Sequence, residues 1–206
     1  MIDPSNITNF NLIDAELEEH ILFWVAAAGK NGRTAARCLE KFMITTAAKY
    51  QNNAPFAAIL KTKSLFDLPE TLKSCGMGCY NNKARSFYEL AVAKFSDKLN
   101  LRTCSAEDLE KIYGIGMKTA RCFILHSRKG ARLSGLDTHM LKHLREMGVE
   151  DVPKSTPSSK KKYMILEQEV LKLADEAGMS PADYDLMIWN KYSIKTKEKE
   201  NYEKKI

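Results

Sequence analysis

Residues 109–120 are the segment that most constrains the fold, and they read Leu-Glu-Lys-Ile-Tyr-Gly-Ile-Gly-Met-Lys-Thr-Ala. Apolar residues on either side can anchor two short helices in one core, while Gly114 and Gly116 turn the chain between them. Both glycines allow positive φ and leave no side chain in the way. The amides of the turn and of the next helix start can then reach a phosphate oxygen.

This segment predicts a helix–hairpin–helix, here called the hairpin (residues 109–127), that holds a DNA backbone without reading its sequence. The alternative is a plain turn between two helices, in which the glycines only end a helix. A bare Gly-x-Gly fits that alternative, whereas the complete frame around it favours DNA.

The rest of the chain also has the patterns of helices, and it contains no convincing strand or internal repeat. Asn81 or Asn82 is expected to cap one helix, and Ile165 is expected on the apolar face of a later one. The charged tail, residues 193–206, reads as a solvated or frayed helix. An all-α fold is therefore expected, with helices over residues 14–28, 33–50, 83–95, 105–113, 117–127, 137–147, 160–177 and 181–192.

The net charge and the hydropathy of the chain indicate which kinds of partner and location are compatible with it. The 206 residues carry a formal charge of +6, which is compatible with a polyanionic partner. No run approaches the roughly 18 apolar residues that span a bilayer. The apolar stretch at residues 21–28 also lacks the basic leading segment of a signal peptide. We expect no membrane partner and a cytoplasmic protein, associated with the nucleoid if its source is prokaryotic.

The five cysteines do not form a recognisable framework. An odd number without regular spacing argues against a set of disulfides. A structural zinc or an iron–sulfur cluster needs four clustered ligands, whereas only Cys75 and Cys79 are close in sequence. We therefore expect reduced, partly buried thiols and no metal site.

Lys118 in the hairpin is followed nineteen positions later by Asp137. A neutral amine can attack the sugar carbon C1′ and hold it as a Schiff base, and a carboxylate can stabilise the positive charge that develops there. Each residue alone has an ordinary explanation: Asp137 is a helix N-cap, and Lys118 is a surface lysine or a phosphate contact. The pair at this spacing predicts Lys118 as nucleophile and Asp137 as catalytic carboxylate.

Residues 101–145 resemble the helix–hairpin–helix DNA glycosylase superfamily. The resemblance is closest to its lysine-bearing branch, which includes endonuclease III and the 8-oxoguanine DNA glycosylases. It is carried by Gly114-Ile-Gly-Met-Lys-Thr-Ala120 and by Leu136-Asp-Thr-His139. Weaker similarity covers residues 79–84 and residues 185–189, the latter resembling the compact archaeal 8-oxoguanine enzymes.

The resemblance implies a base pocket. Cys122 and Trp189 would contact an extruded base, and Asp185 would accept hydrogen bonds from its edge. The alternatives are a small core cysteine and a tryptophan that belongs to the core. Ala26 stands where some archaeal relatives have a base-reading glutamine.

The resemblance also implies two kinds of DNA contact outside that pocket. His139 would contact a phosphate, and its alternative is an ordinary histidine on a helix surface. Lys30 and Asn31 would fill the gap left by the base, and their alternative is a turn between helices.

The implied architecture has two lobes with a cleft between them. Residues 30–130 would form a helical barrel that ends in the hairpin, and residues 1–29 plus 131–192 would form the second lobe. The flipped nucleotide would enter the cleft, with Lys118 and Asp137 at its mouth.

The implied function is that of a bifunctional DNA glycosylase and abasic-site lyase acting on double-stranded DNA. It would excise a damaged or modified base, with 8-oxoguanine favoured, as a monomer. No cofactor is expected and no iron–sulfur cluster, although a monovalent ion at the hairpin carbonyls fits the resemblance. The alternatives are another oxidised or modified base, such as a pyrimidine, and a non-catalytic DNA-binding module.

Overall fold

The computed structural model describes residues 1–46, 54–61 and 67–203, with side chains described as far as residue 193. These residues contain helices and no strand, and the expected all-α fold is confirmed. A short 3-10 helix, Pro4–Asn6, comes first. The α-helices follow in this order: α1 Asp14–Ala27, α2 Gly32–Thr45, α3 Pro55–Lys61, α4 Asp67–Ser74, α5 Tyr80–Phe95, α6 Ala106–Glu110, α7 Met117–Ser127, α8 Thr138–Glu146, α9 Lys160–Glu176 and α10 Pro181–Glu203.

Some predicted helix ends were wrong. Helix α5 begins before Asn81 and Asn82, because Cys79 takes the N-cap position with a left-handed φ of 52°. Helix α6 ends at Glu110, three residues short of the predicted Tyr113, where the chain enters the hairpin turn. Helix α2 ends at Thr45, and the rest of its predicted range, residues 47–50, lies outside the described residues.

A first hydrophobic cluster surrounds α1, which packs against α2, α5 and α7. From Leu17 to Ala26 every residue of α1 except Glu19 is buried, so this part of the helix is covered on all sides. Ile21, Leu22 and Ala26 are fully buried in it. Phe123 of α7 belongs to the same cluster, so the hairpin rests directly on this core.

A second hydrophobic cluster joins α8, α9 and α10. Leu166, Val170 and Ala174 of α9 repeat every fourth residue and form its buried face. Ile165 was wrongly predicted on that face. It lies one residue, about 100° of helix rotation, from that line, and 49% of it is exposed.

The two clusters meet at α7, which contacts both α1 and α10. The described contacts place the buried side of α1 in the first cluster, whereas the predicted division assigns residues 1–29 to the second lobe. A hydrophobic cluster does not by itself define a lobe boundary, and that division stays a prediction. Among the described helices, no stretch combines the length and the apolar character needed to cross a bilayer.

Candidate active site

The hairpin turn uses its two glycines differently. Gly114 has a φ of +77°, and a Cβ added there would lie 2.5 Å from the Ser86 hydroxyl oxygen. Gly116 has an extended φ of −96° and is the N-cap of α7, with open space where a Cβ would lie. Gly114 therefore adopts the positive φ that glycine allows, whereas at Gly116 it is the absent side chain that leaves the helix N-terminus uncovered.

A cleft of about 1480 Å³ opens beside this helix N-terminus. It is walled by the hairpin, α7, the start of α8, α10 and the turn between α1 and α2. All of the site residues predicted from the sequence line it: Lys30, Asn31, Gly114, Gly116, Lys118, Cys122, Asp137, His139, Asp185 and Trp189. The fold thus brings together residues that span more than 150 positions of the chain.

Asp137 is held at the N-terminus of α8, where its Oδ1 accepts a hydrogen bond of 2.8 Å from the Met140 amide. The ordinary N-cap is therefore present, as the alternative explanation predicts. Burial raises the pKa of this carboxyl, and the nearby Asp185 raises it further, while the positive charge of Lys118 acts in the opposite direction. Asp137 is thus a half-buried carboxyl whose pKa depends on the charges of Asp185 and Lys118.

Lys118 lies in the first turn of α7 and is half-buried. Its Nζ is 5.6 Å from the ring centroid of Trp24, which forms part of the cleft wall. Within the described residues it forms no ion pair with a carboxylate. The amine of Lys118 therefore faces the cleft and is not paired in a surface salt bridge.

Cys122 follows one turn after Lys118 and is 3% exposed. Burial is the main cause that raises the pKa of its thiol, so the sulfur stays protonated. The thiol lies directly against the backbone of Gly135. Cys122 thus lines the cleft and packs in the core at once, so both explanations offered by the sequence have support.

Asp185 and Trp189 lie one turn apart on α10 and both face the cleft. Asp185 Oδ2 lies 3.1 Å from Nε2 of His126. Trp189 is half-buried, with its ring 3.6 Å from the position of a Cβ at Gly32. A half-buried indole beside a carboxylate is suited to a planar ligand with a polar edge.

Lys30 and Asn31 have structural contacts of their own at the cleft rim. Asn31 is the N-cap of α2 and accepts hydrogen bonds from the amides of Arg33 and Thr34. Lys30 Nζ donates a hydrogen bond of 2.7 Å to the carbonyl of Gly76. Lys30 and Asn31 therefore lie in a turn between α1 and α2, as the alternative predicts, and their gap-filling role stays a prediction.

His139 stacks on Tyr192, with ring centroids 5.8 Å apart and planes within 2° of parallel. Its ring is thus held in one orientation at the rim of the cleft. Phosphate binding by His139 stays a prediction.

Sequence reasoning missed Trp24, His126 and Thr8. Trp24 lies within the apolar run of residues 21–28, where nothing distinguishes it from a core residue, yet its ring lines the cleft. His126 is 1% exposed and connects Thr8 to Asp185. A lone histidine and a lone threonine carry no spacing signal, because their partners lie 59 and 118 residues away along the chain.

The described residues contain no group of three or more side chains suited to a metal ion. The five cysteines are free, and Cys79 alone among them is exposed. The monovalent ion at the hairpin stays a prediction.

Comparison with known proteins adds independent findings. A family model described as 8-oxoguanine DNA glycosylase (Ogg-HhH) matches residues 39–179. An 8-oxoguanine DNA glycosylase/AP lyase of Thermotoga sp. (strain RQ2) is 38% identical over 85 residues, which are 41% of this chain and 39% of that protein. Endonuclease III of Rickettsia felis is 24% identical over 152 residues, covering 68% of this chain and 67% of that protein. The chain thus aligns with well under half of the length of the Thermotoga relative.

Solved structures agree in fold. The 8-oxoguanine DNA glycosylase of Thermotoga maritima superposes with a TM-score of 0.64 at 24% identity, over 85% of this chain and 78% of that one. The 8-oxoguanine glycosylase/lyase of Methanocaldococcus jannaschii, in complex with DNA containing 8-oxoguanine, gives a TM-score of 0.66 at 20% identity, over 87% and 81%. These likenesses establish the two-lobed helix–hairpin–helix glycosylase fold.

Proposed function

This chain belongs to the 8-oxoguanine DNA glycosylase family, and from that premise we propose that it is a bifunctional DNA glycosylase and abasic-site lyase. One observation carries the proposal. Lys118 and Asp137 come from different elements, line one cleft, and lie close enough for the charge of Lys118 to affect the pKa of Asp137. A nucleophilic amine and a carboxylate that share a cleft can act on a single sugar carbon.

The hairpin positions the DNA in this mechanism. Gly114 and Gly116 let the turn and the first amides of α7 approach a phosphate oxygen, and the helix dipole favours the negative charge there. A nucleotide next to that phosphate rotates out of the duplex into the cleft. Unstacking costs a few kcal/mol, which phosphate contacts and the pocket offset.

Base excision follows from the roles of the two residues. Lys118 Nζ, in its neutral form, attacks C1′ as the bond from C1′ to the base nitrogen breaks, and the base leaves with its electron pair. Asp137 stabilises the positive charge on the sugar and accepts the proton that the amine loses. The C1′–O4′ bond then breaks as Asp137 returns the proton to O4′, which leaves a Schiff base between Nζ and C1′. Asp137 next removes a proton from C2′, and the resulting β-elimination breaks the bond from C3′ to its phosphate oxygen.

The favoured substrate is 8-oxoguanine in double-stranded DNA. Support comes from the family match and from Asp185 and Trp189, which offer a hydrogen-bond acceptor and an aromatic face beside Lys118. Ala26 is fully buried. Its methyl side chain can donate or accept no hydrogen bond, so it does not read the base as a glutamine would. A panel of oxidised purines and pyrimidines is therefore the appropriate test of substrate.

The remaining proposals concern how the protein works in the cell. It acts as a monomer on duplex DNA, in the cytoplasm or on the nucleoid, and none of its chemical steps requires an organic cofactor or an iron–sulfur cluster. A monovalent ion bound by hairpin carbonyls would assist phosphate binding.

Borohydride trapping tests the proposed function. Borohydride reduces a Schiff base to a stable amine, so the protein should become covalently joined to a duplex that carries the correct lesion. Lys118→Gln should abolish trapping and leave DNA affinity within a few-fold of the wild type. Lys129→Gln is the control, because Lys129 is an exposed lysine outside the cleft.

Two results would contradict the proposal. Trapping that persists in Lys118→Gln would place the nucleophile elsewhere. Salt-sensitive DNA binding without trapping on any duplex of the panel would identify a non-catalytic DNA-binding module.

A further inference from the structure

His126 is fixed at the C-terminal end of α7 by contacts on three sides. Its Nδ1 lies 2.8 Å from the hydroxyl oxygen of Thr8, and its Nε2 lies 3.1 Å from Oδ2 of Asp185. Its ring stacks on Trp24, with centroids 5.4 Å apart and planes 17° apart. A histidine that is hydrogen-bonded at both nitrogens and stacked on a ring has a single orientation.

The hydrogen bonds also select a tautomer. An ionised Asp185 can only accept, so Nε2 of His126 must carry the proton that it donates. When the ring is neutral, its Nδ1 is then an acceptor, and the Thr8 hydroxyl donates to it. Thr8 therefore stabilises the tautomer that Asp185 requires.

We propose that His126 is a positioning residue for base recognition, and that Thr8 holds it in the tautomer that orients Asp185. This inference rests on the proposed function, in which a base enters the cleft beside Asp185. With Oδ2 bound to His126, the carboxylate of Asp185 cannot rotate freely. Within the described residues Oδ1 has no protein donor, so it is left to accept an N–H from the edge of a base.

A second buried histidine shows what a purely structural role looks like. His143 is 5% exposed, and its Nε2 lies 2.7 Å from the hydroxyl of Tyr184. His143 does not line the cleft. His126 differs because its partner is a carboxylate on the cleft wall, and that difference makes His143 the matched control.

Two reactions separate positioning from stability. Excision of 8-oxoguanine requires recognition of a base, whereas cleavage of a duplex with a preformed abasic site does not. His126→Leu should slow single-turnover excision by roughly tenfold or more, the typical effect of losing a hydrogen bond to a charged group. Cleavage at the abasic site should fall by less than about threefold, because no base is present to be oriented.

Replacement of His126 by glutamine directly tests the hydrogen bond that residue 126 donates to Asp185. His126→Gln keeps a side-chain N–H that can reach Asp185, so it should recover most of the excision rate that His126→Leu loses. His143→Leu should lower the melting temperature. It should leave the ratio of the excision rate to the abasic-site cleavage rate at the wild-type value. Thr8→Val should reduce that ratio by less than His126→Leu does, and Thr8→Ser should restore it.

A double variant tests whether His126 acts through Asp185. If it does, adding His126→Leu to Asp185→Asn should slow excision no further than Asp185→Asn alone. An additive loss, or equal slowing of excision and abasic-site cleavage by His126→Leu, would overturn the positioning role. A wild-type protein that neither excises a base nor forms a trapped complex would instead reject the proposed function, and this inference with it.

Discussion

Gly135 lies directly against the thiol of Cys122, and a Cβ added at Gly135 would overlap with the sulfur atom. Cys122 is one turn after Lys118 on α7, and Gly135 is two residues before Asp137, the N-cap of α8. This contact therefore joins the two segments that carry the proposed catalytic residues. Only glycine at position 135 lets the two segments approach so closely.

Gly135→Ala should accordingly harm both stability and catalysis. Overpacking of a buried contact costs about 1–3 kcal/mol, and the displaced Asp137 should slow excision. Urea unfolding and single-turnover excision measure the two effects. Cys122→Ala removes the sulfur and makes room, so the double variant should be more stable than the sum of the single changes predicts.

An additive double variant would contradict this explanation of Gly135. Gly130→Ala offers a comparison, because no atom lies within 4 Å of a Cβ added there. Gly130 has a positive φ of 77°, which Gly135 does not, so its replacement reports the cost of backbone strain without the thiol contact.

The contact between Gly135 and Cys122 is an example of a feature that the sequence could not predict. The helical pattern correctly predicted α7 and α8, because periodicity, caps and glycines are local signals. The sequence also placed Cys122 on the same helix face as Lys118. It carried no sign that Cys122 would meet Gly135, since that contact depends on the angle at which two helices pack.

The same limit explains the other differences. Cys79 was not expected to cap α5, because its left-handed conformation is imposed by the surrounding turn and not by residue type. The set formed by Thr8, His126 and Asp185 joins the N-terminal segment, α7 and α10. Such a set is visible only after the chain has folded.

The two hairpin glycines should respond differently to alanine. Gly114→Ala must adopt positive φ and clash with Ser86, so it should cost about 1–2 kcal/mol or more in unfolding free energy. Gly116→Ala has an ordinary φ and open space, so it should cost about 1 kcal/mol or less, the preference for glycine over alanine at an N-cap. Chemical denaturation of both variants measures the difference.

DNA binding gives the complementary measurement. Gly116→Ala places a methyl group over the N-terminus of α7, so its affinity for duplex DNA should fall while the protein stays folded. Unchanged affinity in Gly116→Ala would mean that the phosphate does not approach this helix end.

Arg121 should be the most important charged residue for stability. It is 2% exposed, with Nη1 2.6 Å from Oε1 of Glu110 and Nε 3.1 Å from Oε1 of Glu167, and its guanidinium lies over the ring of Tyr163. Removing one partner leaves buried charges unpaired. Arg121→Met should therefore lower the unfolding free energy by about 3–5 kcal/mol.

The matched control for Arg121 is Arg132, which pairs with Asp175 at 2.8 Å but is more than half exposed. Arg132→Met should change the unfolding free energy far less than Arg121→Met does, because exposed ion pairs contribute little. Equal losses in the two variants would show that burial does not decide the strength of these ion pairs.

Asp137 should make the protein less stable as the pH rises. Burial holds the pKa of its carboxyl above the ordinary value of about 3.9. Between the ordinary pKa of the unfolded chain and the raised pKa of the folded state, the folded protein binds more protons than the unfolded chain. The unfolding free energy therefore falls as the pH rises through this interval. Asp137→Asn cannot titrate, and asparagine is as good an N-cap as aspartate. The variant should therefore be inactive in excision yet more stable than the wild type at neutral pH.

Unfolding in urea over a range of pH tests this account of Asp137. The stability advantage of Asp137→Asn should be absent below about pH 3.9, grow as the pH rises and level off above the folded-state pKa. Asp175→Asn provides a control of opposite sign, because the hydrogen bond from Arg132 lowers the pKa of Asp175. That carboxylate stabilises the folded state above its unfolded pKa, so its replacement should reduce stability at neutral pH and have no effect in acid. If Asp137→Asn instead lost stability with rising pH as Asp175→Asn does, the carboxyl of Asp137 would be a stabilising cap and not a buried charge retained for catalysis.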